Sequence, residues 1–241
     1  MKLSGVRSDR ESRWAAACVR DSALVGCDVV LWWIAGGTKV PGSLSQSECA
    51  EVANRREGPV LDQWRKTRRA LRLILSGMDG VEPTAISYER SGAGKPRVVG
   101  SALQFSVSHS GSGIVIAVGR VPVGVDIEAF GRDRLALEVA ARYFPAEEAR
   151  WLAELPADCV AEKFLRLWVS KEAALKCLGT GLAGHLERAV CEREAGGRVS
   201  AVGVDGRIFS IEEFELDGFG IGALATEGNR PRVRFLKPRF D

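Results

Sequence analysis

Apolar and polar residues alternate with two different periods along the chain, and these periods predict strands in some segments and helices in others. Apolar runs bounded by Gly, Ser or Pro predict strands at residues 27–34, 85–89, 103–108, 114–119, 123–128, 188–192, 207–215, 220–225 and 233–236. Apolar residues at helical spacing predict helices at about 45–56, 61–76, 133–142, 146–154 and 158–178. We expect Gly77 to end the second of these helices as a C-cap.

The predicted helix at 158–178 carries the most informative side chains. Phe164 and Leu175 belong to an apolar stripe, whereas Trp168, Glu172 and Lys176 are spaced by four residues and share a neighbouring face. A carboxylate and an ammonium beside an apolar wall would suit a metal ion and a leaving group. A surface ion pair between Glu172 and Lys176 explains the same residues equally well.

Two stretches of the chain resemble each other. Residues 25–30 (VGCDVV) echo residues 123–128 (VGVDIE), and in each case helices follow and end at a glycine, Gly77 or Gly179. We therefore predict an N-terminal arm at 1–22, an N-terminal half at 23–120 and a C-terminal half at 121–241, the two halves being related α/β units. Val30 stands where the second stretch has Glu128, so we expect one acidic site.

Asp126 and Glu128 lie two residues apart on a predicted strand, so their carboxylates point to the same face. Two neighbouring acids repel each other unless a positive group separates them, and Mg²⁺ with oxygen ligands is a natural partner. Glu172 would supply a third oxygen. A solvated strand edge is the alternative for Asp126 and Glu128 alone.

The segment Ser106–Gly111 favours a phosphate-binding pocket. Hydroxyls, the His109 imidazole and backbone N–H groups at 111–113 are suited to an anion, and Lys95 lies on a nearby turn. A Ser-His-Asp hydrolase is disfavoured because the chain has no GxSxG motif. The GxGxxG at 179–184 follows a helix, so it indicates no dinucleotide-binding fold.

Composition narrows the possible partners and compartment. A net charge of +3 gives no argument for nucleic acid, and the apolar run at 23–35 is too short to cross a bilayer. Six scattered cysteines favour reduced thiols in a cytoplasmic protein. Seven basic residues between Arg55 and Arg72, against two acidic ones, predict a local positive patch for an anionic ligand or an acidic partner; a solvated helix face is the alternative.

Four motifs together resemble the surfactin-type 4'-phosphopantetheinyl transferases. They are Gly94-Lys95-Pro96, the FSVSHS of 105–110, the VGVDIE of 123–128, and the WVSKEAALK of 168–176 with its trailing Gly179 and Gly181. Their order and spacing agree over roughly residues 25–225. The resemblance implies a pseudo-dimeric α+β fold with coenzyme A bound between the halves.

The resemblance also implies a reaction. A serine of an acyl, peptidyl or aryl carrier protein attacks the diphosphate of coenzyme A, takes the phosphopantetheine group and releases adenosine 3',5'-bisphosphate. The implied Mg²⁺ ligands are Asp126, Glu128 and Glu172, and Lys176 with Lys171 would offset charge on the leaving phosphate. Glu148 is the implied general base, while Lys95, Ser108, His109 and, from the basic helix, Arg68 would contact coenzyme A.

Two other functions stay open at this point. A coenzyme A or nucleotide sensor would need the pocket but not the acidic residues, and a metal-dependent phosphohydrolase would use water in place of the serine. We expect a monomer, because a fold that already contains both halves has less need of a partner subunit, and we expect no binding to membranes or nucleic acids.

Overall fold

The computed structural model describes residues 24, 26–90, 94–131, 135–180 and 186–236 of the chain. The expected arm at 1–22, most of the loop at 91–94, Gly181 and His185 lie outside the described residues.

The described strands form two main sheets and one hairpin. In chain order they are β1 (Val29–Ile34), β2 (Tyr88–Arg90), β3 (Pro96–Val98), β4 (Gln104–Ser110), β5 (Gly113–Gly119), β6 (Val123–Ala129), β7 (Ala189–Arg193), β8 (Val199–Val204), β9 (Arg207–Leu216), β10 (Gly220–Glu227) and β11 (Val233–Leu236). The first sheet has the order β11-β1-β5-β4, the second has the order β6-β10-β9-β8-β7, and β2 pairs with β3. β4 and β6 are therefore edge strands of different sheets.

The described α-helices are α1 (Gln46–Val52), α2 (Pro59–Asp79), α3 (Ala136–Tyr143), α4 (Ala146–Ala153) and α5 (Ala157–Leu178). A capping box starts α1, because Ser45 and Glu48 satisfy each other's backbone N–H groups. Pro59 occupies the first turn of α2, where no N–H is needed. Gly179 ends α5 in the left-handed conformation with φ 87°.

The two sheets pack face to face, and each has a long helix on its outer side. Alternate residues of β1, such as Trp32, pack with Leu71 and other residues of α2 in one core. The intervening residues, such as Leu31, pack against the second sheet in a central core that includes Leu224. The outer face of the second sheet packs against α5 in a third core. The layer order is therefore α2, first sheet, second sheet, α5, and the predicted α+β class is confirmed.

The structure departs from the sequence predictions at several positions. α2 continues through Gly77 to Asp79, and Gly80 caps it with φ 70°, so the prediction of Gly77 as the C-cap is wrong. The pattern missed β3, which begins at a proline, and β8, which Gly203 interrupts. β11 pairs in parallel with β1, so the first sheet contains a strand that was expected in the C-terminal half.

None of the helices in the described part of the chain is both long and apolar enough to span a membrane.

Candidate active site

A glycine in β6 lets α5 pass directly over the strand. The odd-numbered residues of β6 pack in the central core, so Gly124, Asp126 and Glu128 face the opposite side. A Cβ on Gly124 would overlap the carbonyl oxygen of Ala173 and the backbone nitrogen of Cys177 in α5. This close approach brings the acidic face of β6 under the polar face of the helix.

Asp126 is buried, and one of its carboxylate oxygens accepts hydrogen bonds from both a hydroxyl and an ammonium group. Its Oδ1 accepts hydrogen bonds from Ser108 Oγ at 2.7 Å and from Lys176 Nζ at 2.6 Å. Its Oδ2 is buried without a hydrogen-bond partner. An unpaired buried carboxylate oxygen costs free energy, so Oδ2 is a natural position for a positive ligand.

Glu172 lies beside this pair and is 5% exposed. Burial is the main cause that raises the pKa of Glu172 to about 7, and the neighbouring charges of Asp126 and Glu128 raise it further while Lys176 opposes them. The carboxylates of β6 and α5 are thus close enough to interact strongly.

This pKa predicts a particular pH dependence of stability in metal-free protein. Folded Glu172 keeps its proton between its usual pKa of 4.5 and about 7, whereas the unfolded chain releases it, so the stabilising contribution is lost as the pH rises through that window. We expect urea unfolding in EDTA to show wild type and Glu172→Gln about equally stable at pH 4 and wild type weaker at pH 8, by roughly 3 kcal/mol. Parallel pH profiles of the two proteins would contradict this.

Glu128 is half-buried, and its Oε2 accepts a hydrogen bond from Ser110 Oγ at 2.7 Å. Across the described residues, no group of three or more His, Cys, Asp and Glu side chains already has the arrangement of a metal-ligand set. The donor chemistry nevertheless fits a hard divalent cation, because Asp126 Oδ2 is unpaired and because burial, together with the charges of Asp126 and Glu128, raises the pKa of Glu172.

A cleft of about 710 Å³ opens next to this cluster, between the two sheets' helices. Its basic lining comes from five elements or loops and consists of Arg68, Arg90, Lys95, His109 and Lys176. Trp64 and Phe105 add apolar surface. The cleft therefore combines a positive wall with aromatic contacts, and it reaches Lys176 at the edge of the acidic cluster.

Lys95 links the loop before β3 to β6 and α5 at this cleft. Its Nζ donates to the carbonyl oxygens of Val123 at 2.8 Å and Cys177 at 3.2 Å. Gly179 lies against its side chain, and burial lowers the pKa of Lys95. Lys95 thus binds the C-terminal end of α5, where carbonyl groups are otherwise unpaired, and also lines the cleft.

The basic residues around α2 do not form one continuous positive surface. Arg72 is buried and donates to Glu48 at 2.6 Å, while Arg65 pairs with Glu57. Lys66 donates to backbone carbonyls of the loop after β1. Arg68 instead lines the cleft, with its guanidinium 5.3 Å from the Trp64 ring centroid. Arg68 is therefore the member of the predicted patch that the structure places best for an anion in the cleft.

Lys171 lies on another face of α5, in the core, where it pairs with Glu148 of α4. Their carboxylate and ammonium are 2.7 Å apart with side chains 3% and 0% exposed, and Glu148 Oε1 accepts from Cys191 N at 2.7 Å. A buried, paired carboxylate is unable to reach a substrate hydroxyl. This geometry gives no support to Glu148 as a general base or to Lys171 as a partner of the leaving phosphate; both residues tie α4 and β7 to α5.

A smaller pocket of about 220 Å³ lies on the other side of Glu128. Its lining is apolar apart from that carboxylate and consists of Leu135, Ala136, Val139, Phe164, Leu165 and Trp168. Phe164 also stacks on Phe144 with ring centroids 5.5 Å apart. The acidic cluster is thus flanked by a basic cleft and an apolar pocket.

Ser110 is a residue of the site that the motifs did not single out. Site roles were expected for Ser108 and His109, whereas the period of two in β4 places Ser106, Ser108 and Ser110 on one face. His109 points to the opposite side, where it is exposed in the cleft. The alternation of three serines was the signal that would have grouped Ser110 with Ser108.

Comparison with known proteins shows what the segment around this site is similar to. Residues 122–223 match the ACPS model, described as the 4'-phosphopantetheinyl transferase superfamily. This segment of the chain is similar to the 4'-phosphopantetheinyl transferase superfamily. It is 37% identical over 114 residues to 4'-phosphopantetheinyl transferase psf-1 of Bacillus pumilus, which covers 47% of this chain and 48% of that protein.

Other transferases of the family give similar matches. HetI of Nostoc sp. is 36% identical over 121 residues, covering 48% of this chain and 51% of HetI. Sfp of Bacillus subtilis is 29% identical over 164 residues, covering 67% of this chain and 72% of Sfp. The chain is thus similar to several 4'-phosphopantetheinyl transferases over half to two thirds of its length. The chain spans about half the length of the first two relatives.

The superfamily segment contains the acidic cluster but only part of the cleft. Asp126, Glu128, Glu172 and Lys176 lie inside residues 122–223, whereas Arg68, Lys95 and His109 lie outside it. The placement of the latter three against the phosphopantetheinyl transferase segment therefore comes from the fold, through contacts such as that between Lys95 and Cys177.

Proposed function

We propose that this chain transfers the 4'-phosphopantetheine group of coenzyme A to a serine of an acyl, peptidyl or aryl carrier protein. The products would be the holo-carrier protein and adenosine 3',5'-bisphosphate. The observation that carries the proposal is the cluster of Asp126, Glu128, Glu172 and Lys176 at the edge of a basic cleft, in a segment that matches the phosphopantetheinyl transferase superfamily.

The cleft suits the nucleotide part of coenzyme A. Its volume of about 710 Å³ lies in the usual range of small-molecule sites. Arg68, Lys95 and His109 would neutralise phosphate oxygens, and the Trp64 ring offers an aromatic surface for the adenine base. The apolar pocket beside Glu128 would accept the pantetheine chain, so the diphosphate between the two parts would lie at the acidic cluster.

The acidic cluster would hold Mg²⁺ through Asp126, Glu128 and Glu172. When bound there, the ion would neutralise charge on the diphosphate and let three acids coexist. Lys176, which already contacts Asp126, would stabilise the negative charge that develops on the leaving bisphosphate. Glu172, which lies beside Asp126 and Lys176, is the carboxylate that would take the proton of the attacking serine.

His109 gives a prediction for the substrate side of the reaction. Replacement of His109 by alanine removes an exposed hydrogen-bonding group from the cleft wall, and we expect the KM for coenzyme A to rise about tenfold with little change in kcat. Steady-state kinetics at saturating carrier protein would measure this. His109→Gln, which keeps a donor, should lose less. An unchanged KM in the alanine variant would contradict the phosphate contact.

One experiment separates the proposed reaction from the two alternatives. The purified chain is incubated with Mg²⁺, coenzyme A and an apo-carrier protein, and the carrier is examined by mass spectrometry. Transfer adds one phosphopantetheine group to the serine. Bisphosphate released without a carrier would instead indicate a phosphohydrolase, and binding of coenzyme A without either product would indicate a sensor.

A salt titration would locate the carrier-binding surface. Screening weakens attraction between exposed charges more than contacts inside a cleft. If the basic residues of α2 meet the carrier protein, the KM for the carrier should rise with salt more steeply than the KM for coenzyme A. Because Arg68 lines the cleft, we expect its removal to affect coenzyme A first.

A further inference from the structure

Three serines of β4 bridge the edges of the two sheets. The hydroxyl oxygens of Ser106, Ser108 and Ser110 accept hydrogen bonds from three backbone N–H groups of β6, those of Val125 at 3.0 Å, Ile127 at 3.3 Å and Ala129 at 3.0 Å. β6 is an edge strand, so these N–H groups would otherwise lack ladder partners on that side. We call this arrangement the serine ladder.

Two rungs of the serine ladder also hold carboxylates of the acidic cluster. Ser108 donates to Asp126 Oδ1 and Ser110 donates to Glu128 Oε2, both at 2.7 Å. A hydroxyl has one proton to donate, and the N–H bonds use only its acceptor side. The third rung holds no carboxylate. Ser106 accepts from the N–H of Val125, and the neighbouring β6 residue on the acidic face is Gly124, which has no side chain.

These contacts restrict how each carboxylate can turn. Ser108 and Ser110 are 5% and 1% exposed, so their bonds to the acids are shielded from water. For Asp126, Ser108 and Lys176 both occupy Oδ1, which leaves Oδ2 as the buried oxygen without a partner. For Glu128, whose side chain has more rotatable bonds, Ser110 holds the Oε2 oxygen of the carboxylate.

We propose that Ser108 and Ser110 are positioning residues that orient the Asp126 and Glu128 carboxylates for a divalent cation and link that orientation to the contact between the two sheets. The proposal rests on the proposed function, which supplies the cation. Hydrogen-bond partners of metal-ligating groups commonly tune metal affinity by 10- to 100-fold, on the order expected here. A shift of one sheet against the other would then weaken the cation site without any change in the acids themselves.

The serine ladder contains its own control. Ser106→Ala, Ser108→Ala and Ser110→Ala each remove one acceptor for a β6 N–H group, but only the last two also release a carboxylate. A purely structural ladder would give all three variants the same effect. Ser110 is the sharper test of the two, because Ser108 is also an expected contact of coenzyme A.

The experiment measures binding in the absence of turnover. Free Mn²⁺ is followed by electron paramagnetic resonance as it is titrated into each protein with saturating coenzyme A and no carrier protein, and urea unfolding is recorded without metal. We expect Mn²⁺ affinity to fall about tenfold in Ser108→Ala and Ser110→Ala and less than twofold in Ser106→Ala. Unfolding midpoints should fall comparably in all three. Ser110→Thr, which keeps the hydroxyl, should restore Mn²⁺ affinity.

Each outcome has a definite meaning. If Ser110→Ala binds Mn²⁺ as tightly as Ser106→Ala, the positioning role is wrong, while wild-type turnover with a carrier protein would leave the proposed function intact. If wild type itself binds no Mn²⁺ with coenzyme A, the metal part of the proposed function fails, and this inference fails with it. Should Ser110→Ala not fold, Ser110→Cys gives the same comparison, because a thiol of similar size is a weak donor.

Discussion

Replacement of Glu172 by alanine is expected to lower kcat/KM for phosphopantetheine transfer by about 10²- to 10³-fold, the usual cost of one preorganised electrostatic contact. Glu172 is 5% exposed and interacts with Asp126, Glu128 and Lys176. Its removal takes away one proposed cation ligand and the carboxylate that we propose accepts the serine proton. Transfer to a carrier protein, followed by mass spectrometry at several Mg²⁺ concentrations, measures the loss.

Two controls give this result its meaning. Glu147→Ala removes an exposed carboxylate from α4 and should leave transfer unchanged. Circular dichroism and unfolding of Glu172→Ala should show a native fold, since burial alone already disfavours the charge that the variant removes. Normal turnover in Glu172→Ala would refute its role in the reaction, whatever the fate of the other acids.

The acidic cluster was predictable because local geometry decides it. Asp126 and Glu128 are two residues apart on a strand, and Glu172 and Lys176 are four apart on a helix, so each pair is aligned within its own element. The sequence also indicated that β6 and α5 belong to one half of the chain. Gly124 brings the two pairs together, because the absence of a side chain there lets α5 lie directly against β6.

Contacts between distant elements were beyond sequence reasoning. No periodicity shows that the edges of β4 and β6 face each other, so the serine ladder and the role of Ser110 stayed hidden. The basic run at 55–72 was predicted to form one positive patch. In the fold, the side chain of Arg72 is buried in the core and that of Arg68 lines the cleft. Gly77 stayed inside α2 because packing extends the helix to Gly80.

The buried pair of Glu148 and Lys171 is the clearest case of a residue whose role the motif alone could not show. Lys171 directly precedes Glu172 in the WVSKE motif, yet its side chain lies in the core. Besides the 2.7 Å contact with Glu148 Oε2, its Nζ donates to Ala189 O and lies 4.9 Å from the Phe144 ring centroid. Neighbouring positions on a helix differ by about 100°, so one faces the cluster and the other faces the core.

Removal of one member of this pair is expected to destabilise the fold strongly. Lys171→Met leaves Glu148 charged and buried, and loss of one partner from such a pair typically costs about 3–5 kcal/mol. For a chain of this size that corresponds to a fall in Tm of roughly 6–20 °C. Calorimetry or thermal unfolding monitored by circular dichroism at pH 7.5 would measure it.

The double variant Lys171→Met with Glu148→Gln decides between structure and catalysis. The glutamine carbonyl can still accept from Cys191 N, and neither residue is charged, so we expect the double variant to recover at least half of the lost stability. If Glu148 only supports the fold, transfer in the double variant below its Tm should stay within a few-fold of wild type. If Glu148 were the general base, the folded double variant would still lose about 10²-fold or more, because a glutamine amide cannot take up the serine proton.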